Sequence, residues 1–163
     1  MKSLILYFSL TGTTATLAQA LAEALDADIA EITCARYAPG GFSFWRYLKA
    51  GRDSLRGHLP PVDVPEIALS DYDLVVLGAP IWTSYPAVPL RAYLSSQPKL
   101  PSRIAAFFTS GGDAAAEKAA EMVSNAAGKP LAATLTVQQR KVLAGDFTEP
   151  VKAFAARLKA DAQ

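Results

Sequence analysis

The chain has 163 residues, which suffices for one domain with a substantial core, and we expect a single domain over residues 1–163. Its 16 basic and 15 acidic residues give a formal net charge of +1, so no overall field draws the chain to nucleic acid or to an anionic membrane. One cysteine, Cys34, excludes an internal disulfide, and one histidine, His58, supplies too few ligands for a metal site and argues against a catalytic triad.

The first predicted elements are a buried strand from about residue 3 and a helix over roughly residues 13–26. The apolar run over residues 4–8 has the length of a strand, and Leu17, Leu21 and Leu25 then recur with a helical period. The loop between them carries hydroxyl groups and a glycine: Ser9, Leu10, Thr11, Gly12, Thr13 and Thr14. A helix N-terminus presents N–H groups that have no internal partner, so this loop predicts a phosphate site. Its sequence matches neither a P-loop nor a Rossmann nucleotide signature, which disfavours nucleoside triphosphates.

A predicted edge strand over residues 28–33 leads into a long excursion over residues 34–70. Within it we expect an amphipathic helix over about residues 43–56. Its predicted apolar face holds Phe44, Tyr47, Leu48, Gly51 and Leu55, and its basic face holds Arg46, Lys49, Arg52 and Arg56. Two interpretations of the basic face stay open: a solvated surface, or a lid or patch that meets phosphates or an acidic partner.

The remaining elements alternate between strands and helices. Residues 73–78 form a near-continuous apolar run, which predicts a strand buried on both faces. Further strands are predicted over 104–108 and 131–137. Helices are predicted over about 89–96, from the end of the loop at 109–113 to about residue 127, and over 147–159. Five strands that alternate with helices predict an open α/β sheet.

Three of the loops that follow predicted strands carry matching chemistry, and together they resemble the flavodoxin family. The matching segments are residues 9–14, 78–82 and 109–112, and the resemblance spans essentially the whole chain. It implies a three-layer α/β/α sandwich with a five-stranded parallel sheet in the order 2-1-3-4-5. It also implies non-covalent FMN at the carboxyl edge of the sheet.

The resemblance implies which residues hold FMN. The phosphate would lie on Ser9, Leu10, Thr11, Gly12, Thr13 and Thr14. The ring would lie near Pro80, Ile81, Trp82, Thr83 and Tyr85, and its pyrimidine edge near Thr109, Ser110, Gly111, Gly112 and Asp113. No catalytic side chain and no metal ligand is expected, because the cofactor performs the chemistry. Each loop alone fits a helix cap, a core aromatic or a turn equally well, and only their joint occurrence favours a cofactor site.

The sequence departs from the family pattern in three ways. Flavodoxins that shuttle electrons are typically acidic around the flavin, whereas this chain is neutral and basic over residues 46–56. The segment 82–85 has no glycine, so positive φ there would cost of order 1 kcal/mol, and we expect a weakly stabilised semiquinone. Residues 109–113 carry no aromatic side chain, which would leave one face of the flavin open to a substrate.

The leading hypothesis is therefore an FMN-binding redox protein that exchanges electrons with a partner protein or a small-molecule donor or acceptor. One alternative is an FMN-dependent NAD(P)H or quinone reductase. An alternative of another class is a non-redox binding protein that has lost the cofactor. We expect no nucleic-acid partner, no signal peptide, no membrane span and a cytoplasmic chain, and the oligomeric state is left open.

Overall fold

The computed structural model of the protein describes residues 1–37, 44–112 and 116–161. Its strands are β1 (Ser3–Tyr7), β2 (Asp28–Glu31), β3 (Leu74–Trp82), β4 (Tyr85–Pro86), β5 (Arg103–Ser110) and β6 (Leu131–Gln138). Its helices are α1 (Thr13–Leu25), α2 (Phe44–Arg56), α3 (Val88–Ser95), α4 (Ala116–Ala127), α5 (Gln139–Leu143) and α6 (Thr148–Ala160).

The parallel strands are arranged in the order β2-β1-β3-β5-β6. Counting only these strands along the chain, the order is 2-1-3-4-5, which confirms the predicted topology. The short strand β4 was not predicted, and it pairs antiparallel with the end of β3. The order reverses between β1 and β3, so the loops that follow these strands diverge and leave a crevice at the carboxyl edge of the sheet.

Helices cover both faces of the sheet. Along β1, Leu4 and Leu6 belong to one buried cluster, whereas Ile5 and Tyr7 belong to the other. The first cluster includes residues of α3 and α4, and the second includes residues of α1 and α6. Alternate side chains of a strand point to opposite faces, so these clusters are the two halves of a three-layer sandwich.

Strand β3 continues past its predicted end at Gly78 and reaches Trp82. Gly78 does not begin a turn: a Cβ atom at this position would overlap the ring of Phe107 on the neighbouring strand β5. The glycine therefore reflects close packing inside the sheet. Residues 79–82, predicted as loop, extend the strand over the edge of the crevice.

Helix α2 has nearly its predicted bounds, but the predicted apolar face is wrong. Leu48 and Leu55 are 48% and 71% exposed, and the buried residues are Ala50, Asp53 and Ser54. The side chains of residues 44–47 lie outside what the structure describes. The polar side chains of Asp53 and Ser54 have tertiary hydrogen-bond partners, which outweigh the hydrophobic periodicity of the isolated helix.

None of the helices, as far as the described residues extend, is both long and apolar enough to cross a lipid bilayer.

Candidate functional site

The loop between β1 and α1 is closed by the side chain of Ser9. Its hydroxyl oxygen accepts the backbone N–H of Gly12 at 3.1 Å and that of Ala15 at 3.2 Å. Both acceptor positions of the hydroxyl are used, so its O–H remains to donate. Gly12 has a φ of 92°, in the left-handed region that glycine adopts without steric cost.

The first turn of α1 offers backbone donors to the crevice. Thr13 and Thr14 are only 7% and 2% exposed, and their N–H groups have no protein acceptor within the described ranges. The 13-residue helix places the positive end of its dipole at the same point. This end of α1 is therefore suited to an anion.

A buried hydrogen bond joins the first turn of α1 to the carboxyl end of β5, and so fixes the loops beside them. The hydroxyl groups of Thr14 and Thr109 lie 2.7 Å apart, and both residues are buried. The hydroxyl of Ser110 donates to the carbonyl oxygen of Gly112 at 2.7 Å. The two loops are thus held at a fixed separation by their own side chains.

The loop after β3 is a two-residue hairpin turn between β3 and β4. Thr83 and Ser84 have φ values of 51° and 74°. Positive φ at both central residues is typical of a type I′ turn. The absence of glycine therefore did not keep this segment out of the left-handed region. The branched side chain of Thr83 makes its conformation strained, at a cost of about 1 kcal/mol or more.

Helix α2 holds this hairpin in place through Ser54. The Ser54 hydroxyl donates to the carbonyl oxygen of Trp82 at 3.0 Å. The Thr83 hydroxyl lies 2.7 Å from the same carbonyl oxygen and 3.0 Å from the Ser54 hydroxyl. These contacts stabilise the strained turn against relaxation.

The ring of Trp82 packs edge-on against two other aromatic rings. Its centroid lies 5.9 Å from that of Phe8 and 5.2 Å from that of Tyr37. The residue is 9% exposed and lines the crevice, so most of the indole belongs to the core. The sequence leaves two placements of Trp82 open, in the core or at the cofactor site. In the structure Trp82 belongs to the core and also lines the crevice.

A buried ionic cluster fixes Tyr37 beneath Trp82. The carboxylate of Asp53 accepts from the guanidinium of Arg36 at 2.7 and 3.1 Å and from the hydroxyl of Tyr37 at 2.8 Å. The hydrogen bonds from Arg36 hold the pKa of Asp53 below its usual value, and burial raises the pKa of Tyr37. This cluster ties α2 to the segment after β2. No local sequence pattern predicts this cluster, because Arg36 and Asp53 are 17 residues apart.

The three loops and the end of β6 enclose a cleft of about 200 Å³. Its lining contains many of the predicted site residues: Leu10, Thr11, Thr13, Thr14, Pro80, Ile81, Trp82, Thr109, Ser110 and Gly111. None of the lining residues in the described part of the chain carries a charge. The cleft thus combines hydroxyl and N–H donors at the α1 end with the apolar side chains of Ile81 and Trp82.

Other predicted residues lie beside this cleft and not in its lining. Ser9 and Gly12 shape the loop, Gly112 borders a neighbouring depression, and Thr83 lies in the hairpin turn. The ring of Tyr85 contacts Arg91 and Lys118 instead. Asp113 lies outside the described residues.

One lining residue, Gln139, was missed by sequence analysis. It is the first residue of α5, which follows β6 directly and was not predicted. A residue at the carboxyl end of a parallel strand lies at the same edge as the other loops. The place of Gln139, directly after a predicted parallel strand, is the sequence feature that could have identified it as a lining residue.

Comparisons with known proteins agree on one family. The sequence profile of the family described as Flavodoxin matches residues 2–154. A flavoprotein from Lactobacillus acidophilus NCFM, solved in complex with FMN, is 26% identical over 83% of this chain and 92% of that one, with a TM-score of 0.70. A protein from Bacteroides uniformis ATCC 8492, assigned as a flavoprotein, is 27% identical over 95% of this chain and 97% of that one, with a TM-score of 0.76.

Oxidised Flavodoxin 2 from Bacillus cereus shares the fold at 15% identity, with 99% of each chain covered and a TM-score of 0.64. A search of the curated proteins finds no match.

Proposed function

The chain belongs to the flavodoxin family, with FMN as its expected cofactor, and from this premise we propose that it carries electrons through non-covalently bound FMN. The observation that carries the proposal is the cleft at the switch point of the sheet, where an anion loop and an apolar wall meet. The structural relative from Lactobacillus acidophilus NCFM was solved with FMN, which supports the same assignment.

The described residues fit FMN at both ends of the cleft. A phosphate would accept from the N–H groups of Thr13 and Thr14 and from the hydroxyls of Ser9 and Thr11. The uncharged lining would neither repel the phosphate nor neutralise it with a side-chain cation. Ile81 and Trp82, which line the cleft, would offer apolar contact for the ring and exclude water from it.

When bound, FMN supplies the electron-accepting and electron-donating chemistry. The protein's part is to hold the phosphate, orient the ring and keep the loops fixed through the Thr14–Thr109 hydrogen bond and the Ser54 contacts. No side chain is assigned the role of a general acid or base. The buried thiol of Cys34, which donates to the carbonyl oxygen of Pro61, suits the reducing cytoplasm that we propose for the chain.

A titration of the flavin-free protein with FMN and riboflavin tests the proposal. We expect riboflavin, which lacks the phosphate, to bind at least about tenfold more weakly than FMN, because it loses the charge-assisted bonds to the α1 loop. Flavin fluorescence and calorimetry report both affinities. Failure of either flavin to bind would instead support a flavodoxin-shaped protein that has lost its cofactor.

A second candidate function is an FMN-dependent NAD(P)H or quinone reductase. It is favoured by the loop after β5, whose described residues 109–112 carry no aromatic side chain to cover the ring. The exposed cations Arg52 and Arg56 on α2 would offer charge to a phosphorylated donor. Steady-state oxidation of NADH and NADPH with a quinone acceptor distinguishes the candidates, since an electron carrier would show no turnover with either nicotinamide.

A further inference from the structure

A groove separate from the cleft lies between α3 and α4. It has a volume of about 190 Å³ and shares no lining residue with the cleft. Its lining is mostly apolar: Leu59, Pro86, Leu94, Met122, Val123 and Ala126, together with Ser95 and Arg91. An apolar lining with one cation is the composition of a small-molecule site that orients a charged group.

Beside this groove two cations lie over the ring of Tyr85, and one of them, Arg91, lines the groove. The guanidinium carbon of Arg91 lies 5.6 Å from the ring centroid, and the ammonium nitrogen of Lys118 lies 5.3 Å from it. Both distances are within the range of a cation–π contact. Arg91 also donates to the carbonyl oxygen of Ser54 at 3.0 Å, which fixes the guanidinium relative to α2.

Neither of these two cations has an acidic partner among residues 1–37, 44–112 and 116–161. Among the residues that the structure describes, no carboxylate oxygen lies within 4 Å of the charged nitrogens of Arg91 or Lys118. Glu117 and Glu121 on α4 are exposed and do not pair with either cation. Burial lowers the pKa of Arg91, so its charge is held partly out of water. An incoming anion would therefore meet positive charge that no described carboxylate neutralises.

We propose that the groove between α3 and α4, with Arg91 and Lys118 beside it, binds a small molecule that has an apolar body and one anionic group. The apolar body lies against Leu59, Met122 and Ala126, which line the groove and are at least partly exposed. The anionic group, a carboxylate, sulfonate or phosphate, is placed towards the guanidinium of Arg91.

This site borders the hairpin that contributes to the cofactor cleft. Tyr85 pairs with Trp82 across β3 and β4, and Trp82 lines the cleft. Pro86 of β4 lines the groove, so a ligand in the groove lies against β4, and the paired strand β3 lines the cleft. The inference does not rest on FMN, because the groove is formed by the protein alone.

Calorimetric titration with two aromatic probes tests the inference. Naphthalene-2-sulfonate supplies an apolar body with an anionic group, and 2-naphthylmethanol is its neutral counterpart. Both are titrated into the flavin-free protein and into protein saturated with FMN, which fills the cleft. We expect the sulfonate to bind at least about tenfold more tightly than the alcohol in both states. Raising the salt concentration weakens only the sulfonate.

Two variants examine the two halves of the site. Lys118→Glu should lower the affinity for the sulfonate about fivefold and leave the alcohol unchanged. Ala126→Trp fills the groove from an exposed helical position and should abolish the binding of both probes. Lys99→Glu and Ala153→Trp, at exposed positions outside the groove, are the matched controls and should bind as the wild type does.

Equal affinity for the two probes would overturn the inference, as would binding that disappears when FMN fills the cleft. Equal effects of Lys118→Glu and Lys99→Glu, or no binding at millimolar probe, would do the same. Circular dichroism verifies that each variant is folded. If no flavin binds, the proposed function fails, while the flavin-free titrations still decide on the groove.

Discussion

At the residue scale, Ser9 controls the conformation of the anion loop. Ser9→Ala removes the acceptor for the N–H groups of Gly12 and Ala15. We expect the free energy of unfolding to fall by about 1 kcal/mol and the affinity for FMN to fall about tenfold, with riboflavin affected less. Denaturant unfolding and flavin fluorescence measure the two effects. The control is Ser102→Ala, at an exposed serine next to the amino end of β5. Unchanged FMN affinity in Ser9→Ala would contradict the role of the loop.

Asp53 is the residue at which pH should act on stability. Its folded-state pKa is lowered, first of all by the hydrogen bonds from Arg36. A lowered pKa means that the ionised carboxylate stabilises the fold above the unfolded-state pKa of about 4, and that this stabilisation is lost as the pH falls further. Asp53→Asn should therefore cost about 2 kcal/mol at pH 7 and progressively less below about pH 4.

Urea unfolding of the wild type and Asp53→Asn between pH 7 and pH 3 measures this difference. Asp146→Asn, at an exposed aspartate, serves as the control and should leave the free energy of unfolding at pH 7 nearly unchanged. A difference between wild type and Asp53→Asn that stays constant down to pH 3 would refute the assignment of the carboxylate as the titrating group.

At the scale of the element, the β3–β4 hairpin stores backbone strain. Ser84 has a φ of 74°, and glycine adopts this conformation without cost. Ser84→Gly should therefore raise the free energy of unfolding by up to about 1 kcal/mol, whereas Ser84→Ala should not, because alanine keeps the strain. The denaturant midpoints of the two variants measure this contrast. Equal midpoints would show that the turn is unstrained.

The weakly stabilised semiquinone stays a prediction, but the absence of glycine over residues 82–85 no longer supports it. Positive φ is already present at Thr83 and Ser84, so the obstacle to rearranging the turn is the set of contacts among Ser54, Trp82 and Thr83. Stepwise photoreduction of the FMN-loaded protein should pass almost directly from oxidised to fully reduced flavin. A large accumulation of the blue radical would show that the turn rearranges despite these contacts.

At the scale of the whole molecule, the cofactor should couple the loops of the sheet into one more stable unit. FMN present at 100 times its dissociation constant adds about 2.7 kcal/mol to the free energy of unfolding, provided that it binds only the folded chain. For a domain of this size we expect the melting temperature to rise by roughly 5–10 °C. Calorimetry with and without FMN measures the shift, and an equal concentration of riboflavin should produce less of it.

The family, the fold class, the parallel strand order and the chemistry of the first loop follow from the sequence. The fold class and the loop chemistry depend on local patterns: buried runs of strand length, helical periods, and hydroxyls with a glycine at a helix start. The family and the strand order follow from the resemblance of residues 9–14, 78–82 and 109–112 to the flavodoxin family. Most residues of the α1 loop and residues 109–111 line one cleft, because parallel strands bring their carboxyl ends to one edge, and their binding of FMN stays a prediction.

Only the tertiary structure decided which face of α2 is buried, how the segment after Gly78 runs, and what surrounds Trp82 and Tyr85. Asp53 and Ser54 are buried because Arg36, Tyr37 and Trp82 supply their hydrogen-bond partners from distant segments. Gly78 reflects the ring of Phe107, and Thr83 and Ser84 adopt positive φ because strand pairing and Ser54 hold the turn. Each outcome depends on a partner remote in sequence, and local propensity carries no information about such a partner.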